Sequence, residues 1–312
     1  MLNYLERNVD ITDLSNYKTP ARASYYYELK DIDKLGRLIE IYNFAKRENL
    51  PVLIVSWGTN ILFAFDVYDG IIIHNALRWW SYDSDTKLLH SYGSESIWNI
   101  AEKLETQYKQ PIWHRFIGLP WTVAWAIYGN AGCFGLETSS NFISCDVYDT
   151  QKWWLKTLTY SDMKFWYRYS ILKDKKEWYL ISTTFNLSEI REKYSSNVDN
   201  VYFREHMQPK WNSCGSFFKN PKVDREVFLQ QFPELRDVCS KNISAWFLLE
   251  QVWLKGYMYG WAYFSDLHCN FLMHTGQGKW TDLLYLINLA QTKVYEKFWI
   301  QLENEVQIIY SN

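Results

Sequence analysis

Between residues 32 and 77 the hydrophobic pattern changes its period. IDKLGRLIEIYNFAKREN (32–49) places apolar residues three and four apart, on one face of a helix. PVLIVS (51–56) and GIIIHNAL (70–77) are short unbroken apolar runs of strand length, and SWGTNILF (56–63) between them reads as a turn. Helix, strand, turn and strand in so short a stretch predict a small α+β unit over residues 1–76, with the turn lining its edge.

From residue 77 to about 205 the pattern becomes short strands and turns, with a helix over Ser94–Tyr108, and predicts a second α+β unit. After the polar connector EIREKYSSNVDN, a third unit over 206–312 alternates short strands with helices at Asp224–Gln231, Ser244–Val252 and Thr281–Phe298. There is no internal repeat and no low-complexity tract.

Charge and cysteine usage exclude several classes. The 33 basic and 35 acidic residues of the 312 are well mixed, giving a net charge of -2 and no basic face for a nucleic acid to bind. MLNYLERNVDITDLSNYK lacks the apolar core of a secretory signal, and no apolar run reaches the roughly 20 residues that span a bilayer. The five cysteines (Cys133, Cys145, Cys214, Cys239, Cys269) are odd in number, scattered and never spaced C-x-x-C. That spacing argues against a disulfide framework and a zinc site, and fits a reduced cytosol. One imbalance stands out: 17 tryptophans against 13 glycines, where an average chain has about 7% glycine.

Four stretches carry candidate chemistry. Ser56-Trp57-Gly58-Thr59-Asn60 follows a strand, where successive N–H groups in a turn can cradle a diphosphate, although an ordinary turn has the same composition. GLPWTVAWAIYGNAGCFGLE (118–137) is built of small residues interrupted by Trp121 and Trp125. In FWYRYSILKD (165–174), Arg168 has the fork geometry to grip a carboxylate, or else simply lies over a tyrosine face. QPKWNSCGSFFKNP (208–221) presents Ser216 after a glycine; no G-x-S-x-G elbow is present, so a cap or turn role is the alternative to proton donation.

In order and spacing these four, with AWFLLEQVWLKGYMYGWAYFSDLHCNF and KFWIQLENEV near the end, resemble the UDP-N-acetylenolpyruvoylglucosamine reductases (MurB) from about Val52 to Val306. The resemblance implies an α+β fold: a two-subdomain FAD-binding module of the vanillyl-alcohol-oxidase/PCMH type and a C-terminal substrate domain. It implies FAD held by Ser56, Trp57, Gly58, Thr59, Asn60 and Ile61 in one loop, and by Pro120, Trp121, Thr122, Ala124, Ala126, Asn130, Ala131 and Gly132 in the other. NADPH would reduce the flavin, and the enolpyruvyl ether of a UDP-sugar would then accept hydride. Arg168 would polarise its carboxylate, Glu305 would assist on the same group and Ser216 would donate the proton, while Arg204 and Asn220 fall at substrate-contact positions. The pattern His268-Cys269-Asn270-Phe271 and the short segment from Phe185 to Ser216 resemble the family's shorter form, with His268 structural. A cytoplasmic monomer without metal, membrane or nucleic-acid partners is expected.

The resemblance also accounts for the tryptophans. Where the family has glycine, this chain has Trp57, Trp113, Trp121, Trp125, Trp166, Trp211, Trp246, Trp253, Trp261 and Trp299. Counting those ten as glycine brings the total to 23, close to the average content. The expectation is a gene that reads UGA as glycine, since ten indoles in loops built for glycine would crowd them and the cofactor. The competing reading is a flavin-less, aromatic-rich relative that binds a nucleotide sugar or cell-wall precursor by stacking.

Overall fold

A computed structural model describes residues 2–56, 60–188, 200–209, 212–239 and 242–311. The first unit contains β1 (Glu6–Asp10), β2 (Arg22–Leu29), α1 (Arg37–Glu48), β3 (Val52–Val55), β4 (Ile61–Ala64) and β5 (Val67–Asn75). Its sheet has the order β1-β2-β5-β3, with β2 and β3 parallel to β5. Leu38, Ile41 and Phe44 of α1 pack on Tyr27, Leu29, Ile71 and Ile73 of the sheet; burying side chains of this size contributes about 1.5–3 kcal/mol each. Two departures from the sequence pattern occur here. RASYYYEL forms β2, which the consecutive tyrosines concealed, and the end of SWGTNILF is not turn but the fully buried strand β4.

The second unit contains β6 (Trp80–Asp83), β7 (Leu88–Tyr92), α2 (Ile97–Tyr108), α3 (Val123–Tyr128), β8 (Gly132–Cys133), β9 (Leu136–Glu137), β10 (Phe142–Asp149), β11 (Trp154–Thr159), α4 (Tyr160–Met163) and β12 (Trp178–Asn186). Its antiparallel sheet runs β11-β10-β12-β7-β6. The stretch Gly118–Gly132, read as a loop, contains the short helix α3, because Thr122 caps its N-terminus by accepting from the Trp125 N–H.

Helix α5 (Asn200–Met207) packs back on the second unit through Phe203 and Arg204, and the third unit contains α6 (Arg225–Gln231), α7 (Ala245–Gln251), β13 (Met258–Tyr259), β14 (Ala262–Phe264), β15 (Leu272–His274), α8 (Trp280–Phe298) and β16 (Gln307–Tyr310). Asp224 and Ser244 cap α6 and α7, accepting from the N–H of Val227 and Phe247. Its core gathers Phe217, Phe218, Leu248, Leu286 and Phe298, and takes in Tyr17 and Leu62 from the first unit. Beside that shared core β16 pairs with β4 in parallel, Gln307 opposite Ile61 and Tyr310 opposite Ala64.

The tryptophans divide by backbone conformation. Trp253 (φ 62°) and Trp299 (φ 58°) are left-handed and end helices where glycine is favoured. After α7 the Trp253 N–H bonds to the Glu250 carbonyl and the Leu254 N–H to that of Leu249, the paired bonds of a Schellman ending. After α8 the Trp299 N–H bonds to the Tyr295 carbonyl. Both indoles are 76–85% exposed, so packing returns little for the strain. Trp113 is the opposite case: it is fully buried, its ring packs edge-on to Phe116 and Phe185, and its indole N–H donates to the Asn141 Oδ1. The expectation that every one of the ten crowds its surroundings therefore does not hold at 113. Trp57 and Trp211 lie outside the described residues.

Trp253→Gly and Trp299→Gly should each stabilise the protein by about 1 kcal/mol, since a left-handed side-chain-bearing residue costs about 1–2 kcal/mol and glycine returns part of that in unfolded-state entropy. Urea unfolding midpoints check this; unchanged or lowered midpoints would refute it.

Candidate active site

Arg168 is placed by a tight turn. Trp166 and Tyr169 exchange backbone hydrogen bonds (3.1 and 3.0 Å), which leaves Tyr167 and Arg168 at the tip, with Arg168 left-handed at φ 56°. A side-chain-bearing residue held in that region is strained, and such strain concentrates at functional positions. The guanidinium leaves the tip between Nε to Glu305 Oε1 (2.7 Å) and Nη2 to the Gly132 carbonyl (3.1 Å).

Glu305 is fixed from three sides. Its N–H donates to the Phe217 carbonyl (2.8 Å), its carbonyl accepts from Asn60 Nδ2 (3.0 Å), and its carboxylate takes Arg168. Burial is the largest influence on this carboxyl and pushes its pKa up; Arg168, Lys173 and Lys219 pull it back only in part. Ser216 is half-buried one residue before Phe217, directly after Gly215 at φ 83°. It bridges to Phe271, while the Phe217 N–H donates to the Asn270 carbonyl. The extended segment 216–219 thus lies between residues 303–305 and 270–271, and brings Ser216, Glu305 and Arg168 to one place.

Two residues beyond Glu305, Gln307 lines a cavity of about 520 Å³ between the two sheets, walled also by Val52–Ser56, Asn75, Ala124, Trp125, Tyr128, Tyr179, Leu180, Ile308 and Ile309; Arg168, Ser216 and Glu305 are not among its walls. Gln307 Nε2 donates to Tyr128 Oη (2.8 Å), which joins β16 to α3 across the cavity. Trp125 lies against Tyr128 with ring centroids 5.4 Å apart and takes up part of the cleft. Trp121 does not line the cavity; it packs against the core of the second unit.

The other residues expected at the site are distributed more widely. Ser56 lines the cavity and its hydroxyl meets that of Ser94 (3.1 Å). Trp57, Gly58 and Thr59 lie outside the described residues. Asn60 and Ile61 tie the first loop to β16, since the Asn60 carbonyl accepts from the Gln307 N–H. Pro120 is exposed, Thr122 is a helix cap, and Ala126 is fully buried. Ala131 and Gly132 act through their carbonyls, to Thr138 and Arg168. Asn130 braces its loop: Nδ2 donates to Glu137 and to the Trp166 carbonyl, and Oδ1 accepts from the Ser139 N–H. Arg204 is buried over Phe134, with Nη1 on the Ile117 carbonyl and Nη2 on the Arg115 carbonyl and Cys133 Sγ. Asn220 accepts from the Ala245 N–H and so caps α7. Arg204 and Asn220 are thus both engaged in holding protein backbone. His268 is stacked on Trp246 at 4.1 Å, and burial lowers its pKa to about 4, which leaves it neutral at physiological pH. Lys173, which the sequence did not single out, donates to the Arg168 carbonyl (2.6 Å).

Removing Arg168 tests the pair. Arg168→Ala leaves Glu305 without its partner, and since each side chain is still about one-fifth exposed, the loss should be about 2 kcal/mol at pH 8. The folded-state pKa of Glu305 already lies above its ordinary value and rises further without the cation. The penalty is therefore absent below the unfolded pKa and grows as pH rises through the folded one. Urea titrations should show a smaller deficit at pH 5 than at pH 8; equal deficits would refute the argument.

Comparison with known proteins gives the same answer throughout the chain. Residues 208–309 match the family described as UDP-N-acetylenolpyruvoylglucosamine reductase, C-terminal domain. The UDP-N-acetylenolpyruvoylglucosamine reductase of Chloroflexus aurantiacus is 29% identical over 95% of this chain and 94% of its own. That of Chlamydia trachomatis serovar L2 is 26% identical over 98% and 96%. The crystal structure of MurB from Thermus caldophilus superposes with a TM-score of 0.68 at 20% identity, covering 97% of this chain and 98% of that one, and shares its fold.

Proposed function

The chain belongs to the UDP-N-acetylenolpyruvoylglucosamine reductases, and on that premise we propose how its own residues carry the reaction. The enolpyruvyl ether of UDP-N-acetylglucosamine is reduced to UDP-N-acetylmuramate, a peptidoglycan precursor, with NADPH as reductant and FAD in the cavity. The convergence of Arg168, Glu305 and Ser216, with Glu305 two residues before the cavity wall at Gln307, carries the proposal.

The cavity fits such a cofactor. Its volume lies in the range of cofactor sites, Val52–Val55 and Leu180 give apolar walls for a flat ring system, and Ser56, Asn75 and Gln307 add polar groups. Ser56, Asn75, Ala124, Tyr128 and Gln307 would hold it, and Trp125 narrows the space beside Tyr128. A flavin bound there supplies the hydride for one alkene carbon of the substrate.

Addition of hydride places negative charge on the neighbouring carbon and its carboxylate. Arg168, fixed by Glu305 and the Gly132 carbonyl, meets that charge as a cation that needs no reorganisation. Glu305 holds the guanidinium in place, and burial raises its pKa, so that whenever it takes up a proton it hydrogen-bonds to the same carboxylate instead of repelling it. Ser216 then delivers the proton. A serine hydroxyl is a weak acid, and it serves because an enolate is strongly basic and the donor is held in place. The flavin-less binding protein considered as the alternative is not favoured, since relatives covering nearly the whole chain are named as the reductase.

Ser216→Ala separates the two halves of the reaction. NADPH should bleach the flavin at close to the wild-type rate, while turnover of the enolpyruvyl substrate falls by about 10²–10⁴, the usual loss on removing a general acid. Stopped-flow absorbance and steady-state assays check this, and equal loss in both halves would remove Ser216 as proton donor.

A further inference from the structure

We propose that Lys173 is a positioning residue for Arg168, an inference that rests on the reaction just described. Three observations converge on it. Arg168 is left-handed at the tip of a two-residue turn, a conformation that its neighbours must enforce. Lys173 Nζ reaches back over that turn to the Arg168 carbonyl at 2.6 Å and holds the strained residue by its own backbone. The ammonium lies over the Tyr128 ring, 5.6 Å from its centre, and Tyr128 is itself bonded to Gln307 of β16. Lys173 thereby connects the Arg168 turn to the strand that follows Glu305.

Its cost shows that the position is not incidental. Burial and two neighbouring cations, Lys219 and Arg168, lower the Lys173 pKa, and Glu305 opposes them. A half-buried ammonium set against two like charges is retained here on the Arg168 carbonyl and the tyrosine face. Lys173 does not touch the reacting atoms; it acts by keeping the guanidinium aimed where the enolate charge develops.

Lys173→Met and Lys173→Arg test this. In Lys173→Met, kcat for the enolpyruvyl substrate should fall by about 10², the scale of a small misplacement at a catalytic centre. Its KM, and the rate at which NADPH bleaches the flavin, should stay within a few-fold of wild type. Lys173→Arg, which can still donate to the carbonyl, should recover most of kcat. Unchanged kcat in Lys173→Met, or equal loss of both half-reactions, overturns the proposal. If Lys173→Met does not fold, Lys173→Arg decides alone, and a fall in its kcat as large as 10² overturns the role. A wild-type protein that fails to turn over the enolpyruvyl sugar would instead remove the functional reading.

Discussion

The site depends on one long-range backbone pairing, that of Ile61–Ala64 with Gln307–Tyr310. β4 leaves the first sheet, Leu62 enters the core of the third unit, and β16 crosses to meet it. The residues that flank this ladder are the ones on which the proposed chemistry rests. Asn60 immediately before β4 holds the carbonyl of Glu305, and Glu305 lies two residues before β16. A shift of two residues in the register would carry Glu305 away from Arg168 by roughly two strand rises of about 3.3 Å, which no side-chain rotation makes good.

Around that ladder the electrostatics are unbalanced by design of place. One buried carboxyl, Glu305, faces Arg168, Lys173 and Lys219, and burial still dominates its titration. Lys219 is itself paired with Glu303, which leaves Arg168 and Lys173 as the cations nearest Glu305. In the proposed reaction the ion pair between Arg168 and Glu305 aims the guanidinium more than it stabilises the fold, in keeping with the modest net worth of buried pairs.

The sequence disclosed the parts whose signals are local. α2, α6, α7 and α8 were legible because apolar periodicity ran through them, and the structure adds the caps at Ser96, Asp224 and Ser244. β2 escaped because three consecutive tyrosines mask alternation, and β4 escaped because its four residues are defined by a partner almost 250 positions away. At the site, 137 residues separate Arg168 from Glu305, so no spacing rule could join them and only the family resemblance did. That resemblance marked Asn130, Thr122, Arg204 and Asn220 by position, and the structure adds their hydrogen bonds to backbone groups. It passed over Lys173, whose contact is with a backbone carbonyl.

The β4–β16 ladder also sets an order of events in time. A growing chain can close the first and second sheets from contacts within each unit, but the strand that completes the ladder comes from the last tenth of the polypeptide. Joining segments so far apart is entropically slow and comes late in folding. During synthesis Asn60 must wait without its carbonyl partner, and Arg168 without its carboxylate, until β16 has emerged from the ribosome. The Arg168–Glu305 pair is therefore among the last contacts to form.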